Sequence, residues 1–243
     1  NEETQYVLNY FNVEAPQLIE SVKTQVKDIE IRKTKGVSRG ISLKNAWGLM
    51  QENNVVTIPC VTEEGLLEGV ITIGDITKSY MNLYDSSIIS KACTKYANIL
   101  DTLEGSMVVG DSEAYFDRGK VLIAAANPDL MENYIEKYDL VILGNRYESQ
   151  LCAIEMEAGC IIVCEGAGVS LTIRKLAQER GCAVITTPYD TYTTARLINQ
   201  SMPISYFMTK ENIIDFSEED YLDDIREIMA SKRHRDFPVL DSD

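Results

Sequence analysis

Apolar positions along this chain follow a helical period in two separate places. Leu43, Ala46 and Met50 fall three and four residues apart, which lines one face of a short helix. The same spacing returns at Leu222, Ile225 and Met229. Residues 29–62 align without gaps on residues 208–241, at a constant offset of 179. Ser38 matches Ser217, Leu43 matches Leu222, Met50 matches Met229 and Pro59 matches Pro238. Apolar character carries over at Val37/Phe216, Ala46/Ile225, Leu49/Ile228, Ile58/Phe237 and Val61/Leu240. In both copies a polar turn and a short apolar strand follow the helix, and the strand opens at an Ile-Pro or Phe-Pro pair. Ser217 and the acids Glu218, Glu219 and Asp220 supply an N-cap and a negative first turn to the second helix. The first copy runs on through residues 65–76 as a turn, a strand and a helix start. The second copy stops at Asp243, opposite Glu64, so its last strand and helix are expected beyond the end of this chain.

Between the copies the pattern changes. Continuous apolar runs at 121–126, 140–143, 160–164 and 183–186 read as buried strands, and helical patterns occupy 128–138, 148–158 and 171–180. Strands alternating with helices predict a parallel or mixed sheet and an α/β fold class. Gly166-Ala167-Gly168 follows a strand and precedes a helix, but Leu171 stands where a dinucleotide loop needs its third glycine. Tight-turn glycines are the better reading there.

Composition narrows the function. The net charge is −15, which excludes nonspecific nucleic-acid binding and disfavours an anionic membrane surface. No apolar run is long enough to span a bilayer, and the acidic start at Asn1-Glu2-Glu3 is no signal peptide. The chain lacks an initiator Met, so an excised or processed piece is expected. Cys60, Cys93, Cys152, Cys160, Cys164 and Cys182 lack zinc-ligand spacing and mostly sit in apolar runs, as reduced thiols of a cytoplasmic protein do. His234 is the only histidine, which leaves no His-rich metal site, no His-based triad and little room for an acyl- or phosphotransferase.

Strand, helix, x-Pro strand and then G-x-x-T-x-x-D, here Gly69 to Asp75, resembles the cystathionine-β-synthase (CBS) domain, over about 26–81 and 203–243. CBS domains occur in pairs and bind adenine nucleotides in the cleft between them. The residue types suit that chemistry. Thr72, at a strand end, can bond a ribose or phosphate oxygen, and Asp75 can accept from both ribose hydroxyls. The resemblance places Lys35, Gly36, Val37, Ile58 and Pro59 of the first copy around adenine, with Asn212, Ile213, Phe237 and Pro238 from the second. Lys232-Arg233-His234-Arg235 is the densest basic run, and His234, Arg235 and Lys35 are the expected phosphate contacts. Each position also has a plainer reading. Thr72 and Asp75 can simply cap a helix, Ile58 and Phe237 can be core, and the basic run can be a solvated turn.

The middle segment resembles the DRTGG domain through Gly144-Asn145-Arg146, Ala158 to Cys164 and Thr186 to Thr193, with Asn145 where that family often has Asp. The expected role is structural or in subunit contact. Asn1 to Pro16 resembles a stretch of the catalytic DHH domain of family II inorganic pyrophosphatases, some of which carry a CBS pair with an inserted DRTGG domain. The expected layout is therefore a catalytic-domain remnant and linker at 1–25, CBS copy 1 at 26–81, the DRTGG-like domain at 82–200 and an incomplete CBS copy 2 at 201–243. By this resemblance the chain itself is no enzyme. It would be the regulatory region of a manganese-dependent pyrophosphatase, whose manganese or magnesium belongs to the absent catalytic domain. AMP and ADP would inhibit the parent, and ATP or diadenosine tetraphosphate would activate it. The expected partners are a second copy, forming a homodimer through the CBS and DRTGG domains, and the parent's DHH domains. A ligand-independent oligomerisation module is the alternative.

Overall fold

The computed structural model describes residues 2–15, 21–81, 85–232 and 236–240. They form two compact units, Asn1–Lys33 with Ile214–Asp243, and Thr34–Ile213. Helix α1 spans Glu2–Tyr10. The first copy of the repeat holds α2 (Leu43–Asn53), β1 (Thr57–Val61), β2 (Leu67–Thr72) and α3 (Ile73–Met81). Next come α4 (Ile88–Lys91), β3 (Thr94–Lys95), α5 (Tyr96–Thr102), β4 (Ser106–Val109), β5 (Tyr115–Phe116), β6 (Val121–Ile123) and α6 (Pro128–Met131). Then follow β7 (Leu140–Leu143), α7 (Tyr147–Glu155), β8 (Cys160–Val163), α8 (Leu171–Arg180), β9 (Ala183–Thr186) and α9 (Thr191–Leu197). The second copy holds β10 (Phe216–Ser217), α10 (Leu222–Lys232) and β11 (Val239–Leu240).

The repeat read from the sequence is present in three dimensions, at the same offset. Helices α2 and α10 each have 11 residues and start 179 positions apart. Val37 bridges Cys60 in parallel, and Phe216 pairs Val239 in parallel. The Val37 amide donates to the Pro59 carbonyl at 3.0 Å, as the Phe216 amide does to the Pro238 carbonyl at 3.0 Å. Proline suits both places because only its carbonyl is needed there.

Each copy takes its entry arm from the segment that precedes the other copy in the chain. In the larger unit the Leu43 amide donates to the Met202 carbonyl (2.9 Å), and Ser42 pairs Pro203. Met202 and Ile204 are wholly buried against the first copy. The same arm ends in a two-way bridge, Val70 to Thr209 at 3.0 Å and Thr209 to Val70 at 2.9 Å. In the smaller unit the Leu222 amide donates to the Thr24 carbonyl (3.0 Å), Gln25 pairs Tyr221, and Val26 packs with Phe216 and Ile225. Lys27 bonds Glu219 at 2.7 Å.

The middle segment builds a five-stranded sheet in the order β4-β9-β8-β7-β6. The four strands expected from the apolar runs pair in parallel, and β4 adds an antiparallel edge. The sheet is therefore mixed. Strands β6, β7 and β8 are apolar at every position and β9 departs only at its last residue, Thr186, because helices cover both faces. Leu140, Ile142 and Ile162 face a core shared with α2, β1, β2, α4 and α5, whereas Val141, Leu143 and Ile161 face a second core under α7 and α8. The first core runs unbroken from Leu43 and Met50 to Ile185, so the first copy and the sheet fold as one body. Helix α8 begins at the N-cap Ser170 and ends on the left-handed Gly181, matching the expected 171–180. Helix α6 is shorter than the 128–138 pattern. The buried Asp139 carboxylate takes the Glu136 amide (2.8 Å) and the Lys120 amide (3.0 Å), which turns the chain before β7. Among the described residues no helix is long and apolar enough to cross a membrane.

Candidate functional site

The junction of β2 and α3 is the chemically most organised part of the first copy. Thr72 ends the strand, and α3 starts at Ile73, whose amide donates to the Val56 carbonyl at 3.0 Å. The Thr72 amide (3.0 Å) and hydroxyl (2.7 Å) both donate to Asp75 Oδ2, and the Asp75 amide donates to Thr72 Oγ1 at 3.2 Å. This is a reciprocal capping box. Both bonds that the Asp75 carboxylate accepts use Oδ2, and both residues keep part of their surface in solvent. The box therefore fixes a carboxylate at the positive end of a nine-residue helix without sealing it. Capping is realised, and the second carboxylate oxygen remains for a hydroxyl donor.

The other expected contacts of the first copy gather on neighbouring strands. Lys35 and Gly36 are exposed and Val37 is half-buried beside β1. A Cβ on Gly36 would lie 2.6 Å from both Val61 methyls, so glycine lets this strand approach β1. Pro59 is half-buried on β1, while Ile58 turns its side chain into the core at 2% exposure. Cys60, next in the strand, is buried, and that burial, with Glu68 nearby, pushes its thiol up to about 11. It serves as core. Asn212 is exposed with a left-handed backbone (φ 54°), and Ile213 is half-buried. These residues and Thr72 and Asp75 all belong to the larger unit.

Phe237 and Pro238 belong to the smaller unit. Phe237 packs against Phe216, with ring centroids 5.2 Å apart, and Pro238 carries the ladder carbonyl. His234 and Arg235 lie outside the described residues. Among the described residues no group of three or more His, Cys, Asp or Glu side chains is placed to hold a metal ion. The sequence reading did not anticipate the arm from Met202 to Thr209. A Cβ on Gly69 would lie 2.8 Å from the Thr209 carbonyl, so this glycine is the notch that seats the arm beside β2.

Two family models match this chain, the CBS domain over residues 26–82 and the DRTGG domain over residues 98–201. A solved structure of the CBS and DRTGG domains of the regulatory region of Clostridium perfringens pyrophosphatase, complexed with the activator diadenosine tetraphosphate, superposes with a TM-score of 0.85. It is 36% identical and covers 90% of this chain and 96% of that one. The chain belongs to the family of CBS–DRTGG regulatory regions of pyrophosphatases. The mixed α/β architecture and the two domain types expected from the sequence are those of this family. The regulatory region is also 39% identical, over 241 residues, to the cobalt-dependent inorganic pyrophosphatase of Clostridium perfringens. It is 27% identical, over 233 residues, to the probable manganese-dependent inorganic pyrophosphatase of Thermotoga maritima. These alignments cover 99% and 96% of the regulatory region but only 44% and 42% of the two enzymes. The region thus spans less than half the length of the curated relatives it matches.

Proposed function

We propose that the regulatory region senses adenine nucleotides and sets the activity of an inorganic pyrophosphatase of which it forms a part. The observation that carries this reading is the Thr72–Asp75 box, a fixed and accessible carboxylate–hydroxyl pair at a helix N-terminus. It stands in a chain 36% identical to a regulatory region solved with diadenosine tetraphosphate. In this proposal Asp75 Oδ1 accepts from ribose hydroxyls and Thr72 bonds a ribose or phosphate oxygen. Lys35, Gly36, Val37, Pro59, Asn212 and Ile213 surround the base, with Lys35 also reaching the phosphates. Phe237, Pro238, His234 and Arg235 serve a second nucleoside and the phosphates.

AMP and ADP act as inhibitors, and ATP or a diadenosine polyphosphate as activator, with the active protein a homodimer. A ligand shifts activity only through unequal affinity for two arrangements of the protein. Opposite effects thus require the mononucleotide and the dinucleotide to favour different arrangements. The test is calorimetric titration of the region with AMP, ATP and diadenosine tetraphosphate, paired with diphosphate hydrolysis by the full-length enzyme under each ligand. Saturable binding with opposite effects on hydrolysis supports the proposal. Absence of binding by all three ligands leaves the region a ligand-independent assembly module.

A further inference from the structure

A cavity in the larger unit lies far in sequence from the residues just described. It has a volume of about 660 Å³, which is within the range of small-molecule sites. It opens at the end of the five-stranded sheet where β8 and β9 begin, under the loop that joins β4 to β5.

Three independent features mark it as built. Tyr96 lines it and is only 7% exposed, yet its hydroxyl has no hydrogen-bond partner among the described residues. Thr102 Oγ1 is the one sealed side-chain oxygen without a partner there, so the Tyr96 hydroxyl keeps access to the cavity. An accessible phenol without a protein partner leaves a donor and an acceptor free for a bound group. Burial also raises its pKa, so it stays a neutral donor and acceptor.

The second feature is Tyr138, which also lines the cavity. It is a bulky residue in the left-handed region (φ 72°), a strained conformation. Its amide bonds the Glu157 carbonyl at 2.9 Å. Its carbonyl presses on Gly119 and Gly159 so closely that neither position has room for a Cβ. Two glycines and a hydrogen bond therefore hold the strained residue in place. The third feature is the guanidinium of Arg118, which lies 4.9 Å from the centre of the Tyr138 ring and 3.5 Å from Asp117.

We infer that this cavity binds a small planar molecule, uncharged or carrying one positive charge, with a hydrogen-bonding group that meets the Tyr96 hydroxyl. The planar body follows from the lining, which brings Tyr115 and Tyr138 together with the aliphatic residues Val108 and Ala177. The charge follows from the lining, where Asp111 and Asp117 outnumber Arg118. Such a lining repels phosphates, which separates this ligand from the nucleotides of the first site.

The test uses the whole chain with ring-labelled tyrosines, observed by NMR, and three probes: indole, tyramine and 4-hydroxybenzoate. Two variants complete it. Tyr96→Phe removes one hydroxyl, and Gln178→Trp fills the rim from an exposed position of α8. Indole or tyramine should bind saturably, at least fivefold more tightly than the benzoate, and equally well with AMP present. Affinity should fall about 2- to 12-fold in Tyr96→Phe and vanish in Gln178→Trp. Failure of all three probes, binding indifferent to both variants, or tightest binding of the anion would overturn the inference. So would a change of oligomeric state in Gln178→Trp by sedimentation, since that outcome assigns the cavity to a second copy. Because nucleotide binding is read separately with AMP, loss of one site leaves the other interpretable.

Discussion

Gly69→Ala tests the exchanged arm where it bears on the candidate site. The new methyl would sit 2.8 Å from the Thr209 carbonyl oxygen and 3.0 Å from Met208 Sδ. The thioether can swing aside, but the carbonyl is backbone and belongs to a closed two-way bridge with Val70. Relief of the clash therefore means opening that bridge. Two backbone hydrogen bonds at about 0.5–1.5 kcal/mol each would be lost. Partial exposure of Met208, now 8% exposed, adds roughly 1 kcal/mol. The expected destabilisation is about 2–4 kcal/mol, read as a lower denaturation midpoint with little change in slope. Hydrogen exchange should locate it, with the Val70 and Thr209 amides losing protection before those of β7 and β8. A cost below about 0.5 kcal/mol with both amides still protected would refute the reasoning, because the arm would then not be seated by this glycine.

Three further perturbations follow from the same structure. Gly36→Ala forces a Cβ against the Val61 methyls and should cost about 1–3 kcal/mol, with most of that recovered in the double variant Gly36→Ala/Val61→Ala by chemical denaturation. Asp139→Asn turns an acceptor for two amides into a group that also carries donors, and should cost about 2–4 kcal/mol in thermal unfolding; a change within 0.5 kcal/mol would show that the turn before β7 does not depend on this carboxylate. Burial holds the thiols of Cys60 and Cys182 neutral, up to about 11 and about 12 against 9.0 in a free thiol. Their contribution to stability is thus complete below about pH 9 and lost as pH climbs through 11 and 12. Iodoacetamide at pH 8 should modify the exposed Cys93 first, and rapid labelling of Cys60 or Cys182 in the native protein would contradict that burial.

Local periodicity carried a large part of this fold. Helices α2 and α10 and their proline-led strands stand where the offset of 179 puts them, because an amphipathic helix and a short strand are specified by their own residues. The α/β middle was legible for a similar reason, since a strand covered on both faces must be apolar throughout. The arms were not legible. Thr24 and Met202 play the same part for Leu222 and Leu43, but they stand 178 apart, so a one-residue slip hides them from an ungapped alignment. Each also packs on the copy that does not follow it in sequence. Edge strand β4 escaped notice because its four residues pair only through β9.

The candidate site was partly legible. Thr72 and Asp75 lie three residues apart across a strand end and a helix start, a local motif that fixes its own geometry. Ile58 shows the limit of position alone, because the alternation of β1 turns its side chain inward. The Tyr96 cavity had no sequence signature, since its lining comes from the start of α5, from β4 and β5, from Tyr138 and Gly159, and from the end of α8 into β9.

Calorimetric titration of diadenosine tetraphosphate into the wild-type region and the Thr72→Ala/Asp75→Asn variant tests the sensing claim most directly. Loss of the charge-assisted bonds at Asp75 should weaken binding about 10- to 150-fold. The lost cap should lower stability by only about 1–2 kcal/mol, leaving the variant folded. Equal affinity in the two proteins, or no binding heat from the wild type, would contradict the account.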